Sequence, residues 1–233
     1  MIFIPLILAH LLGDFLLQPN SWVADKEQKK GKSKFLYFHV LIHIALVFIF
    51  LWNIQLWWIV LIIGITHFLI DWAKLQFQTP KAKRTWFFVD QLLHIVVIVL
   101  LSVFYYPYLK WEDLFNHDNL KIITAVVFLT VPSSIIIKTL ISIWTPVTVE
   151  HSKIQTESLV NAGKYIGILE RLLVFVFIIV NHWEGVGFMI AAKSVFRFSD
   201  LAEAKQRKLT EYVLIGTLLS FGIAVLTGIL VNT

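Results

Sequence analysis

The sequence predicts an all-α protein, a polytopic transmembrane helical bundle of about eight spans. Three observations carry that expectation. The 233 residues are 58% hydrophobic and only 15% charged, with a mean hydropathy of +0.78, whereas soluble domains run nearer half apolar and a quarter charged. Most of the apolar runs approach the roughly 20 residues that cross a bilayer core as a helix. The connections alternate between basic and acidic or neutral, as cytoplasmic and outer loops do. Cysteine is absent, which excludes a disulfide framework, a thiolate metal site and a thiol nucleophile. The net charge of +5 belongs in cytoplasmic loops rather than on a nucleic-acid surface, so no nucleic-acid partner is expected.

The first span is expected at Ile2–Leu17. It lacks a basic leader and a small-residue cleavage site, and His10 and Asp14 interrupt it, so it reads as a span and not as a cleaved signal. Asp25–Lys34 follows with five Lys against two acids, then a span at Phe35–Trp52 and the neutral turn Asn53–Gln55. Leu56–Phe77 leads into Lys81–Arg84, which holds three cations and no acid. Trp86–Tyr105, the acidic stretch Tyr106–Asn119 and Leu120–Ile141 come next. The longest polar connection divides the chain into a five-helix membrane part (residues 1–144), a cytoplasmic connection (145–164) and a three-helix membrane part (165–233). The last spans are expected at Tyr165–Val180, Gly185–Phe198 and Tyr212–Val231. Gly185–Phe198 is short and holds Lys193. Crossing is preferred to a re-entrant dip, because a dip would leave the basic Arg197–Lys208 loop outside. Both termini are then outside, in a multi-pass membrane protein surrounded by lipid. Trp57, Trp58, Trp86, Trp111, Trp144 and Trp183 fall near span ends, where interfacial aromatics belong.

Five of the eight histidines lie in the first four spans, each with a His or Asp partner four residues away. The pairs are His10 with Asp14, His39 with His43, His67 with Asp71, and Asp90 with His94. Four residues on a helix keep both side chains on one face, about 6 Å apart along the axis. The topology puts every pair in the cytoplasmic half of the membrane. Ionisable groups at such depth are expensive and face a bundle interior or a cavity. Imidazole and carboxylate are also ligands for a divalent metal, zinc first, with manganese or iron as alternatives. One pair alone reads as a structural hydrogen bond between helices. Four pairs at one depth point to a metal or proton-handling site, with a self-satisfied polar core as the bland alternative. Asp14, Asp71 and Asp90 are the candidate catalytic carboxylates, as ligand or base.

Gln18, Lys26 and Gln91 adjoin the cluster as candidate substrate-binding residues, suited to a phosphate or a polar headgroup. Lys74 follows Asp71 by three residues, and snorkelling accounts for it as well. In the second half, Glu170, Arg171, Lys193 and Arg197 form either an ion-pair network between packed helices or a site for an anionic headgroup beside the metal. The Gly163/Gly167 and Gly216/Ser220 spacings suggest close helix contacts.

The stretches His10-Leu-Leu-Gly-Asp14-Phe-Leu-Leu-Gln18, Lys26, His39-Val-Leu-Ile-His43 and Asp90-Gln-Leu-Leu-His94 resemble an uncharacterised bacterial integral-membrane family, domain of unknown function thirty-three-oh-seven. Gly167-Ile-Leu-Glu170-Arg171, Ala192-Lys193-Ser194 and Glu211-Tyr-Val-Leu-Ile-Gly216-Thr217 look like the longer members of that family, so the resemblance covers nearly the whole chain. It implies a membrane protein and carries no activity with it. In residue types only, the cluster is also similar to the membrane-bound metal-dependent hydrolases called LexA-binding inner-membrane proteins. The expected function is an intramembrane metal-dependent hydrolase acting on a lipid or other amphiphile, phosphate-containing or not, from the cytoplasmic side. An iron-using glycerolipid hydroxylase is a variant of it. The alternatives are a metal-ion or proton-coupled transporter, and a non-catalytic membrane protein with a structural polar core. Crowding of the polar groups on one side and the lack of an internal repeat weigh against a transporter.

Overall fold

A computed structural model describes residues 2–106, 118–145, 157–204 and 207–232. Trp111, His117 and His151 fall outside the described residues. Every described regular element is helical, with no strand among them. The helices are α1 (Phe3–Leu11), α2 (Asn20–Lys29), α3 (Lys34–Leu51), α4 (Trp57–Phe77), α5 (Lys83–Tyr105), α6 (Asp118–Leu129), α7 (Val131–Ile141), α8 (Glu157–Ile179), α9 (Trp183–Ala204) and α10 (Arg207–Asn232).

The eight expected spans reduce to a smaller secure number. Lys34–Leu51, Ile54–Phe77, Pro80–Tyr105 and Glu211–Asn232 are each long and apolar enough to cross a membrane. Two bent pairs raise the number to six: Phe3–Leu16 with Asn20–Lys32, at 82°, and Asn119–Leu129 with Val131–Trp144, at 42°. Helices α8 and α9 fall short because every 18-residue stretch of either holds at least three charged residues. Helix α9, Trp183–Ala204, starts two residues before the predicted Gly185–Phe198 and ends six after it.

The chain forms two compact units, Met1–Thr124 and Ala125–Thr233. In the first, α1 packs on α3 and α5, α3 on α4, and α4 on α5, which closes a ring of four helices. Helices α3, α4 and α5 each turn large apolar residues outward while their His and Asp face inward. Helix α5 buries Asp90 and His94 while Leu92, Leu100 and Phe104 stand exposed. That inversion is what lipid, rather than water, asks of a surface. At one end the interior is apolar, formed by Leu6, Val47, Ile59, Ile63, Ile98 and Leu101. The polar layers fill the other.

Local chemistry sets the boundaries. Ser33 caps α3 by accepting from the Phe35 amide and donates its hydroxyl to Asp25. Helix α1 ends in a π-helical turn, Leu12–Leu16, in which the Leu17 amide reaches the Leu12 carbonyl at 2.8 Å. Pro19 then starts α2, a polar helix that buries only Lys26.

In the second unit, α8 packs on α10, α9 and α7, and α7 on α10. The expected Leu120–Ile141 span is broken at Thr130, because Pro132 has no amide to bond the Phe128 carbonyl. The Ser133 hydroxyl takes that carbonyl at 2.6 Å. Arg171 takes the next two, donating to the Leu129 carbonyl at 2.7 Å and the Thr130 carbonyl at 3.1 Å. A Cβ at Gly163 would meet nothing within 4 Å, so this glycine makes no close helix contact. Gly216 lies against Ile141, and Ser220 accepts from Arg171.

Candidate metal centre

The ring of α1, α3, α4 and α5 brings all eight predicted His and Asp side chains together, in two layers with one residue from each helix. The layer next to the apolar end is four imidazoles: His10, His43, His67 and His94. Ring centroids are 3.7 Å apart for His43–His67, 4.1 Å for His67–His94, 5.2 Å for His94–His10 and 6.1 Å for His10–His43. The second layer is Asp14, His39, Asp71 and Asp90. Except for Asp14, which is intermediate, all eight are buried.

Asp14 is the hub. Its Oδ1 lies 3.0 Å from His43 Nε2, 3.2 Å from His39 Nε2 and 3.5 Å from His67 Nε2. Its Oδ2 accepts from Gln91 Nε2 at 2.8 Å and lies 3.9 Å from His10 Nε2. The π-helical turn aims Asp14 by inserting one residue into its own helix. The next glycine matters equally: a Cβ on Gly13 would sit 2.3 Å from His43 Nε2, so only a bare backbone lets that ring approach.

Two lysines hold the remaining carboxylates. Lys26, from α2, donates to Asp71 Oδ2 at 2.9 Å and is itself buried. Lys74 donates to Asp90 Oδ2 at 2.8 Å. Gln18 bonds His39 Nε2 at 2.9 Å, and Gln91 links Asp14, Asp90 and His10. Outside the cluster, hydrogen bonds from Lys29 and Ser33 hold the Asp25 carboxyl below its ordinary range.

The donor set fits a divalent ion. Three groups can each place a ligand atom per residue within 4.8 Å of one another: His10, Asp14, His43 and His67; His39, His67 and Asp71; Asp14, Asp90 and His94. Among the described residues, the buried side-chain atoms without a hydrogen-bond partner are His39 Nδ1, Asp90 Oδ1 and His94 Nε2, all in this cluster. A closed polar core would satisfy such atoms. On the apolar side, Leu6, Val47, Ile63, Thr66, Val97 and Ile98 close a small cavity over the four imidazoles.

The polar residues of the second unit are occupied there. Arg171 is buried and also donates to Ser134 Oγ at 2.6 Å and Ser220 Oγ at 3.1 Å. Glu170 pairs with Lys193. Here Arg171 bonds carbonyls and hydroxyls of packed helices, and the one ion pair among these residues is Lys193 with Glu170. The Arg197 side chain lies outside the described residues.

Residues 2–122, just over half of the chain, match the family model described as Protein of unknown function (DUF3307). The chain belongs to the DUF3307 family. The matched region contains every residue of the two layers, together with Gln18, Lys26, Lys74 and Gln91. It stops short of Glu170, Arg171 and Lys193, so the model covers less of the chain than the resemblance suggested. No curated protein and no solved structure matches this DUF3307 chain.

Sequence reasoning missed Gly13 and underrated Lys74. A glycine inside the apolar run beside Asp14 was the available signal for the first, since it costs helix stability unless something must come close. For Lys74 the signal was its spacing of three from Asp71, but its partner proved to be Asp90, on the neighbouring helix.

Proposed function

We propose that this protein is a multi-pass membrane metalloenzyme, a hydrolase of a phosphate-containing lipid or other amphiphile reached from the cytoplasmic leaflet. One observation carries the reading. Three carboxylates and two lysines meet five imidazoles in one buried cluster, and it retains unpartnered ligand atoms. Buried polar atoms left without a partner are expensive, and a divalent cation is the ligand that the carboxylate and imidazole donor set asks for. Zinc suits it best, with manganese or iron next. When bound, such an ion lowers the pKa of water and polarises a phosphoryl oxygen.

The residues divide the work. His10, His43 and His67 with Asp14 hold the ion, and His39 and Gln18 brace them. Lys26 holds one oxygen of Asp71, which leaves Oδ1 to take the proton of an attacking water. The water oxygen bonds phosphorus, the ester P–O bond breaks, and the leaving oxygen takes up the proton. Lys26 and Lys74, both beside carboxylates, turn to the substrate phosphoryl oxygens as it enters.

The test is metal content by mass spectrometry on detergent-purified protein, beside the His43→Ala, Asp90→Ala double variant. Stoichiometric metal that disappears in the variant is expected, followed by metal-dependent release of phosphate from lipid phosphates. No metal in wild-type protein, even after reloading without chelator, overturns the reading and leaves a proton path or a polar core.

A further inference from the structure

We infer that the centre is built for two metal ions bridged by the Asp14 carboxylate. The inference rests on the metalloenzyme reading above and goes past it in number and arrangement. Two of the ligand groups, His10/Asp14/His43/His67 and Asp14/Asp90/His94, share Asp14 alone. The third, His39/His67/Asp71, competes with the first for His67 and adds no independent position.

The two oxygens of Asp14 face different company. Oδ1 is ringed by the Nε2 atoms of His39, His43 and His67. Oδ2 looks toward α5, where Gln91 donates to it, and of the first group only His10 stands nearer to it, at 3.9 Å. Each carboxylate oxygen has two lone pairs, so that donation leaves one for an ion. A carboxylate bound through both oxygens spans the roughly 3.5–4 Å of a two-metal site.

The second position is marked by the unpartnered atoms themselves. Asp90 is 1% exposed, and Lys74 takes its Oδ2, leaving Oδ1 free. His94 is buried, with Nε2 lacking a hydrogen bond and standing 3.6 Å from Asp90 Oδ1 and 3.7 Å from Asp71 Oδ1. An acceptor and an imidazole nitrogen left 3.6 Å apart in a dry interior are spaced as ligands of a common ion are, too far for a hydrogen bond. The first position alone would leave both atoms orphaned.

Charge then constrains the substrate. Two divalent ions bring four positive charges to a cluster that already sets two lysines against three carboxylates, an excess that anionic ligands must neutralise. Hydroxide and a phosphate-ester dianion do so, whereas a neutral carboxylic ester does not. The pair therefore favours phosphoryl over acyl transfer.

The measurement is metal stoichiometry of the full chain, loaded with manganese and read by mass spectrometry and electron paramagnetic resonance. Two ions per chain with an exchange-coupled signal are expected. Asp90→Asn, which keeps the side-chain volume, and His94→Ala are each expected to retain one ion with the spectrum of an isolated centre. One ion per wild-type chain, uncoupled, overturns the pair and leaves the metalloenzyme reading standing. No ion overturns both. Two ions retained in both variants would place the second elsewhere and overturn this assignment.

Discussion

The two units bury polar groups in opposite ways. In the second, Arg171 is buried as the histidines of the first are, yet its donors reach the Leu129 and Thr130 carbonyls and the Ser134 and Ser220 hydroxyls. The groups it meets are the debris of a helix break, and it repairs them. In the first unit the polar residues outnumber the bonds they make. Asp14 gathers three imidazoles, while Asp90 Oδ1 and His94 Nε2 find nothing. Depth and charge are common to both regions. What separates glue from a site is the balance of donors and acceptors, because a buried group left without a partner costs about 1–3 kcal/mol.

That contrast can be broken most directly at Arg171. Arg171→Met strands the Leu129 carbonyl and removes the donors to Ser134 and Ser220, while the Thr130 carbonyl keeps the Ser134 amide and hydroxyl; we expect a loss of roughly 3–5 kcal/mol, seen as an early thermal transition in detergent, with metal content unchanged. A stable variant that lost metal would erase the distinction between the units. Lys74→Met comes next. It leaves Asp90 without its cation and should cost about 3 kcal/mol without added metal. Saturating zinc should recover much of that loss, since the ion supplies the missing charge. Arg171→Met should gain nothing from zinc. Gly13→Ala is expected to cost about 1–3 kcal/mol by overpacking. It should also weaken metal binding by roughly tenfold or more, measured by competition with a chelating dye, because the new methyl group occupies the His43 position. The smallest effect is Ser220→Ala, about 1 kcal/mol from one lost acceptor, with no change in metal affinity.

The helices and the cluster were legible because both depend on short spacings. Apolar length predicts helices in lipid, and a separation of four keeps His67 and Asp71 on one face whatever surrounds them. Agreement in depth among four helices then predicted one meeting place. Other features depend on partners distant in sequence. Pro132 was the sequence signal for the break that the continuous Leu120–Ile141 reading passed over, but nothing near it says that Arg171 will bridge the freed carbonyls. The role of Arg171 stayed open for the same reason: a buried cation can hold a headgroup or a carbonyl, and only its partners decide. The π-helical turn at Leu12–Leu16 was invisible for a different reason. It follows from the fit of Gly13 against His43, a property of two helices and not of either sequence alone.

The apolar end of the four-helix ring has an electrical consequence. Leu6, Val47, Ile63 and Ile98 form a dry plug between the imidazole layer and the far end of the bundle. In an energised bilayer most of the potential would drop across that plug, leaving the cluster close to the voltage of the side that α2 faces. Ions and protons entering from that side would cross almost none of the field, which is worth about 2.3 kcal/mol per charge per 100 mV. Turnover by the proposed hydrolase should then be indifferent to membrane potential, whereas a carrier moving charge through the plug would feel nearly all of it.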